Sequence, residues 1–380
     1  MIKILCKWIG LTFMLVLTGC SNDEILATLG NDSDAELSEG NLVEIVLDKG
    51  DVTRTPRPLL YPDISGNNVN VVKLKMAVEL GGRDGHVELT NENVTLKDNK
   101  GTVLNDYVNG EWTLPWTSSK DSLDWGESHD DQMAIRIFGL ENLEGLSSST
   151  SPILVIQAYG YHDSGSLPEG FSISGGVYSY SASSTMSLKD VDELFAGENT
   201  VGLDNRGNFT ETAQVVLTRQ VAGLMVCLNE VPIGTREITL SLGNVATGCK
   251  FFPSDSEYNN EGTDANVDIT FSLPIEMDDS YSTQTDKGNV YDFKKFKEDH
   301  PDKFPIVPES QSWYGGIPQF DEPLLFASFF LFANDQSTVK IGDIDLTLPD
   351  GDKGFKRNHF YYIGTPLNPV SYIDNFGPGE

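Results

Sequence analysis

The first residue placed for chemistry is Cys20, whose thiol follows an apolar run and two small residues. A short cationic segment with Lys3 and Lys7 comes before that run, which covers residues 8–17. These are the dimensions of a secretory signal, and the run is too short to span a membrane as a helix. The sequence therefore predicts a signal peptide over residues 1–19.

The motif Leu17-Thr18-Gly19-Cys20 resembles a bacterial lipobox. In a lipobox the signal is removed before the cysteine, which becomes the lipidated N-terminus. An ordinary cleaved signal followed by a chance cysteine is the alternative. The resemblance implies a lipoprotein with acyl chains such as palmitate on Cys20. Asp23 and Glu24 also resemble the acidic export signal of Bacteroides-type lipoproteins, which implies a surface-exposed place in the cell outer membrane.

The charge of the chain limits its partners. The 380 residues include 57 Asp and Glu against 26 Lys and Arg, which gives a formal net charge of −31. Such a protein does not bind nucleic acid or an anionic leaflet through general electrostatics. The excess of acidic residues is explained by the solubility of an exposed surface.

The hydrophobic pattern is that of an all-β protein. Apolar residues alternate with polar ones from Val72 to Leu80, and shorter runs of this kind recur between turn residues. The 36 glycines fit a chain with many turns. The length is sufficient for two domains, each with its own core. We therefore expect two β-sandwich domains.

The domain boundaries follow from composition. Residues 20–40 are acidic, small and aperiodic, which is typical of a flexible tether. The polar run over residues 202–212 is the best boundary between domains. We therefore predict an N-terminal β-sandwich over residues 41–206 and a C-terminal β-sandwich over residues 207–380.

Four local patterns give narrower predictions. Val221–Leu228 is apolar on both faces and is predicted to be a central core strand. Residues 190–195 are predicted to form one helical turn, and residues 290–297 a short helix. The apolar phase changes from odd to even positions near Gly342-Asp343, which predicts a β-bulge or bend.

Few residues could support a reaction. Residues 170–174 lack the last glycine of a Gly-x-Ser-x-Gly motif, and His129 lies in an acidic segment without a second spaced ligand. Residues 350–352 begin like a calcium loop but lack its later ligands. We predict no catalytic residue, no metal and no cofactor, and hence a protein that is not an enzyme.

Two cysteines remain beyond the signal and the lipidated position. Cys227 and Cys249 would lie in an exported protein, where a disulfide is possible. Two buried free thiols are the alternative.

Three tryptophans suggest a ligand platform. Trp112, Trp116 and Trp125 lie close together in the sequence, and aromatic rings supply rigid contact area for glycans or protein partners. A contribution to the core is the alternative. The platform is the basis of a second hypothesis, a carbohydrate-binding surface lipoprotein.

Several segments together resemble the fimbrillin superfamily of Bacteroidales. They are residues 192–198 (DELFAGE), residues 216–224 (VLTRQVAGL), residues 229–232 (NEVP), residues 356–361 (KRNHFY), and Thr53-Arg54 after the first strand. The resemblance implies two transthyretin-like β-sandwiches and export as a lipoprotein. It also implies cell adhesion, with assembly into a fimbrium or pilus by β-strand exchange.

The resemblance further implies a choice between two fates. In shaft subunits of the family a trypsin-like protease cuts after an arginine and releases the first strand, and Arg54 is the best match here. A chain that is not cut stays tethered, as anchor subunits do. After Ile363 the remaining residues offer only Val370–Ile373 as a donor strand, which favours an anchor, tip or accessory subunit over a repeating shaft subunit. The implied partners are other fimbrial subunits, the outer membrane, and host or bacterial surface receptors.

Overall fold

The computed structural model describes residues 40–47, 69–81, 85–116, 132–162, 165, 167–181, 186, 188, 191–254, 256–286, 288–308, 325–364 and 371–372. Strands dominate these residues, which confirms the all-β fold class.

The strands, in chain order, are β1 (Asn41–Leu47), β2 (Val71–Leu80), β3 (Gly85–Glu88), β4 (Thr95–Asp98), β5 (Tyr107–Val108), β6 (Glu111–Pro115), β7 (Gln132–Phe138), β8 (Ile153–Tyr161), β9 (Phe171–Ser174), β10 (Val177–Tyr180), β11 (Leu194–Gly202), β12 (Ala213–Arg219), β13 (Val221–Leu228), β14 (Glu237–Lys250), β15 (Asn260–Ser272), β16 (Ser282–Thr285), β17 (Gly288–Tyr291), β18 (Leu325–Phe332), β19 (Thr338–Ile341), β20 (Ile344–Leu346), β21 (Phe360–Ile363) and β22 (Ser371–Tyr372). The α-helix α1 spans Phe293–Asp299, and 3-10 turns lie at Leu140–Asn142, Leu146–Ser148, Pro301–Lys303 and Pro349–Gly351.

The first hydrophobic core is enclosed by a continuous ten-stranded sheet. Its strand order is β4-β7-β1-β12-β11-β8-β2-β6-β5, with β3 beside β2. In β2 the side chains of Leu74, Met76 and Val78 are buried, whereas Lys75 between them is exposed. The alternation read from the sequence therefore places one face of β2 in the core and the other face in water.

The second hydrophobic core receives side chains from two further sheets. One has the order β20-β19-β14-β10-β9 with β15 beside β14, and the other has the order β18-β13-β21-β22. In the latter, β13 lies between antiparallel β18 and parallel β21, which confirms the predicted central core strand. Gly223 is needed there because a Cβ atom would lie 2.1 Å from the ring of Phe360.

Strands cross the predicted 206/207 boundary in both directions. β12 follows the boundary in sequence, yet it lies in the first sheet between β1 and β11. The hairpin of β9 and β10 precedes the boundary, yet β10 pairs with β14 of the second core. No single cut in the sequence therefore separates the strands of the two cores. The tandem transthyretin-like arrangement stays a prediction.

Two local predictions are wrong. Within the predicted helical turn at residues 190–195, β11 begins at Leu194 and pairs with β8 over nine positions, so ladder hydrogen bonds replace helical ones. Gly342-Asp343 is a two-residue hairpin turn and not a bulge, since Ile341 lies opposite Ile344 across it. Such a turn places residues i and i+3 on one side, which also changes the apolar phase from odd to even.

The helix predicted over residues 290–297 is displaced along the chain. Residues 288–291 belong to β17, and α1 begins only after Asp292, whose side chain accepts a hydrogen bond from the backbone N–H of Lys295 at 2.9 Å. The capping carboxylate thus sets the start of the helix.

Candidate functional site

The strand that the fimbrillin resemblance singles out, β1, is an interior strand of the first sheet. It pairs antiparallel with β7 and parallel with β12, so that Val43 lies opposite both Ile135 and Ala213. Its inward side chains are Val43, Ile45 and Leu47. All three are buried, with exposed fractions of 0%, 0% and 3%. Loss of β1 would therefore open a slot directly into the core.

The burial of β1 is large on the scale of protein stability. Full burial of one such apolar side chain stabilises by about 1.5–3 kcal/mol. Three of them contribute an amount comparable with the roughly 5–15 kcal/mol that separates a folded domain from its unfolded state. The ladder bonds to β7 and β12 would be lost as well. The first core therefore requires a strand in this slot.

A side-chain clamp holds the start of β1. Asn41 donates from Nδ2 to the carbonyl of Gly207 at 2.8 Å, and its Oδ1 accepts from the N–H of Phe209 at 2.9 Å. Gly207 has a φ of 82° and packs closely against Leu140, where a Cβ atom would collide. The side-chain amide of Asn41 thus donates one hydrogen bond to the loop backbone and accepts one from it, as the backbone of a neighbouring strand would.

The clamping loop is itself fixed by Asp204. Its Oδ1 accepts from the backbone N–H groups of Arg206 and Asn208, each at 2.8 Å, and the side-chain amide of Asn208 donates to Oδ2 at 3.0 Å. Bonds to the side chain and backbone of Asn208 lower the pKa of Asp204, because they favour the charged carboxylate. The clamp was missed in the sequence, where Asp204 appeared only as part of a polar boundary.

Polar side chains also tie β1 to its neighbours. Arg136 of β7 donates from Nη1 to the carbonyl of Gly40 at 3.2 Å, and burial lowers the pKa of its guanidinium. On the other side Gln214 of β12 donates to Glu44 at 3.2 Å. β1 is therefore held by its apolar face, its two ladders and its first residues.

A second polar cluster lies at the passage from β12 to β13. Arg219 binds Glu193 through Nε at 2.7 Å and Nη2 at 2.6 Å, and both side chains are buried. The guanidinium also lies over the rings of Phe195 and Phe360, at 5.2 and 4.9 Å from their centroids. Its Nη1 donates to Asn358 at 3.3 Å.

Gln220 is the residue that connects β12 to β13, and it is fully buried. Its Oε1 accepts from Arg357 at 2.8 Å and from Asn259 at 3.1 Å, and its Nε2 donates to the carbonyl of Thr218 at 2.8 Å. Its backbone N–H donates to the carbonyl of Leu194 at 2.8 Å. The segments around residues 193, 219 and 357 therefore meet at one buried point, where they fix the passage of the chain between cores.

Both clusters are networks of hydrogen bonds, and the second also contains a buried ion pair. In the part of the chain that the structure describes, no group of three or more His, Cys, Asp or Glu side chains could hold a metal ion. Over the same residues, no helix is both long and apolar enough to cross a membrane.

The predicted lipidation, cleavage and third tryptophan positions, Cys20, Arg54 and Trp125, lie outside the described residues. Cys227 and Cys249 are free thiols in the structure, on β13 and β14 respectively. Burial raises the pKa of Cys227 to about 12 and also raises that of Cys249. The structure therefore agrees with the alternative, two free thiols, and not with a disulfide between Cys227 and Cys249.

The exposed ligand platform is contradicted for Trp112 and Trp116. Their exposed fractions are only 1% and 6%, because the inward face of β6 carries Trp112 and Leu114 into the first core. The ring of Tyr107 packs against Trp112 with centroids 4.6 Å apart. Both tryptophans fill the core, and the carbohydrate hypothesis loses this support.

Comparison with known proteins gives only structural similarity. No family model matches the chain, and no curated protein matches it. The chain is similar to a protein from Bacteroides ovatus proposed to act in cell adhesion, with 10% identity, coverage of 90% of this chain and 99% of that chain, and a TM-score of 0.34.

Two further solved structures are similar. The fimbrial anchor protein Mfa2 from Porphyromonas gingivalis has 9% identity, coverage of 86% of this chain and 90% of that one, and a TM-score of 0.31. A protein from Bacteroides thetaiotaomicron proposed to bind polysaccharide has 8% identity, coverage of 85% and 90%, and a TM-score of 0.35. Similarities this low carry no argument about the function of this chain.

Proposed function

We propose that this protein is a non-enzymatic subunit of a fimbrium, held in the outer membrane by a lipid on Cys20 and assembled by β-strand complementation. Its place is that of an anchor or accessory subunit. The observation that supports the proposal is the position of β1. This strand fills the first core from between β7 and β12, and Arg54 follows it by only seven residues.

The placement of β1 has the physical properties that strand exchange requires. A slot with two unpaired ladders and three apolar pockets accepts an extended segment with alternating apolar side chains. The parallel ladder to β12 and the antiparallel ladder to β7 set the direction of the incoming strand. Cleavage after Arg54 would break the covalent link between β1 and β2 and leave the ladders of β1 to β7 and β12 in place.

The C-terminal region supports the role of an anchor. Ser371–Tyr372 forms β22, which pairs with β21 of the same chain opposite residues 361 and 362. Val370–Ile373 is the candidate donor strand, and this pairing holds two of its residues within the same chain. A subunit whose candidate donor strand stays paired in its own sheet suits the base of a fimbrium.

The test begins with the N-terminal residue of the mature protein on the cell surface, measured by mass spectrometry. We expect a lipidated Cys20 and co-purification with other fimbrial subunits under mild extraction. Thr55 as the N-terminus would replace the anchor role with that of a cleaved subunit. A chain found only as a monomer, without a partner subunit, would refute assembly into a fimbrium.

Strand complementation is tested separately in vitro with a trypsin-like protease. After cleavage at Arg54, a labelled peptide of residues 40–50 should enter the protein, whereas the same peptide with Ile45→Asp should not. Arg54→Ala should abolish both cleavage and peptide uptake, and Arg57→Ala is the matched control because Pro58 disfavours cleavage after Arg57. Equal uptake of the two peptides would contradict the proposal that cleavage opens a slot for the apolar face of β1.

A further inference from the structure

A cleft of about 370 Å³ opens on the outer face of the first sheet. Its floor is formed by outward side chains of β2 and β8, and its wall is formed by the tip of the β9–β10 hairpin together with Phe252. This volume lies within the range of about 300–1,000 Å³ that is usual for small-molecule sites.

The floor of the cleft is polar. Lys75 of β2 and Gln157 of β8 lie opposite each other in the ladder, and Tyr159 follows two residues later on the same face. Gln157 donates to Glu198 at 3.2 Å, and the hydroxyl of Tyr159 donates to Glu111 at 2.8 Å. The first bond fixes the orientation of the Gln157 amide from outside the cleft, and the second fixes that of the Glu111 carboxylate within its lining.

The wall of the cleft combines backbone and aromatic surface. Gly175 and Gly176 form the hairpin turn with φ values of 59° and 75°, which glycine adopts without strain. The half-buried ring of Phe252 lies against Gly176, 3.5 Å from the position of a Cβ atom. Ser174 and Asn109 stand exposed at the rim.

We propose that this cleft binds a neutral saccharide of one or two sugar units. Ammonium, amide, carboxylate and hydroxyl groups around one opening supply both donors and acceptors, which vicinal sugar hydroxyls need. The half-buried ring of Phe252 adds aromatic carbon on which the apolar face of a sugar can rest.

The charges favour a ligand without charge of its own. Lys75 brings a positive group to the cleft, whereas its ion-pair partner Glu88, at 3.8 Å, and the lining residue Glu111 bring negative groups, so an ion of either sign meets repulsion as well as attraction. The net charge of −31 further disfavours anionic glycans such as sialylated ones.

The experiment uses the detergent-solubilised full chain on an array of neutral hexose and N-acetylhexosamine oligosaccharides, with sialylated glycans on the same array. The strongest neutral ligand is then titrated by calorimetry. Lys75→Ala and Gln157→Ala should each weaken its binding by about tenfold or more. Lys73→Ala is the matched control, because Lys73 points to the same side of β2, bonds Thr113 at 2.6 Å and lies outside the cleft. It should bind as the wild type does.

Three outcomes would overturn the proposal. They are no neutral ligand on the array, binding of charged glycans alone, and full affinity in Lys75→Ala and Gln157→Ala. Circular dichroism of each variant separates a lost ligand contact from a lost fold. The assay measures binding by the isolated chain, so its result is independent of whether the chain enters a fimbrium.

Discussion

Arg219 and Glu193 form an ion pair sealed inside the protein, with Nη2 and Oε1 2.6 Å apart and both side chains only 2% exposed. The pair joins the residue before β11 to the last residue of β12, next to the ladder contact between Phe195 and Arg219. Removing two charges from water is costly, and close geometry with further hydrogen bonds offsets that cost. The hydrogen bond to Asn358 meets this condition, and the cation–π contacts with two flanking rings add to it.

Breaking this pair should strongly destabilise the protein. Glu193→Gln and Arg219→Met should each lower the free energy of unfolding by about 3–5 kcal/mol, because the remaining charge stays buried without its countercharge. Chemical denaturation measures the effect. In the double variant the losses should not add, since neither charge is then left alone.

The matched control for the ion pair is the exposed pair of Lys340 and Asp345. These side chains are 2.9 Å apart, but 50% and 76% of their surfaces are exposed. Lys340→Met should change the free energy of unfolding by less than about 1 kcal/mol. Equal effects at the exposed and the buried pair would contradict the importance of burial.

Asn41→Ala should loosen β1 without unfolding the whole protein. Two hydrogen bonds to the loop at residues 207 and 209 are lost, which costs about 1–3 kcal/mol. Hydrogen exchange of the β1 amides should accelerate accordingly. Asn205→Ala, at an exposed position of the same loop, should leave their exchange unchanged. Unchanged protection of β1 in Asn41→Ala would show that the clamp is not needed.

Trp112→Ala should lower the free energy of unfolding by about 3–5 kcal/mol, because the buried ring leaves a large cavity. The comparison is Val108→Ala on neighbouring β5, which is 58% exposed and should cost less than about 0.5 kcal/mol. Thermal or denaturant unfolding measures both. A mild effect of Trp112→Ala on the free energy of unfolding would show that the ring is not part of the core.

Both described cysteines should be unreactive in the native protein. Burial raises the pKa of Cys227 to about 12, so its thiolate is scarce at pH 8, and Cys249 is buried more completely. Maleimide labelling followed by peptide mapping should modify the two residues only after unfolding. Recovery of a disulfide-linked peptide from Cys227 and Cys249 would contradict free thiols.

The raised pKa of Cys227 also predicts a change of stability with pH. Above its ordinary value of 9.0 the unfolded chain loses the thiol proton, whereas the folded chain keeps it up to about pH 12. Stability therefore falls with rising pH in this window, by up to about 1.4 kcal/mol per pH unit. Cys227→Ala should show a shallower fall in denaturation experiments between pH 9 and pH 11, with equal slopes below pH 8.

Prediction of structure from the sequence succeeded best where a local hydrophobic period is compatible with only one structure. The alternation in β2 fixes which residues face the core, and the run at Val221–Leu228 is apolar on both faces because both faces of β13 are buried. At Gly342-Asp343 the same kind of reading failed. A bulge and a two-residue turn shift the apolar phase alike, and only the pairing of Ile341 with Ile344 distinguishes them.

The sequence by itself determined the strand class, the inward faces and the segments that resemble a known superfamily, since these depend on residues near each other in the chain. Tertiary structure decided that β12 lies beside β1, that Trp112 is buried, and that Glu193, Arg219 and Gln220 meet Arg357 in one network. The partners in these contacts are separated by up to more than a hundred residues. Strand pairing over such distances is chosen by the packing of the whole core, and no local pattern encodes it.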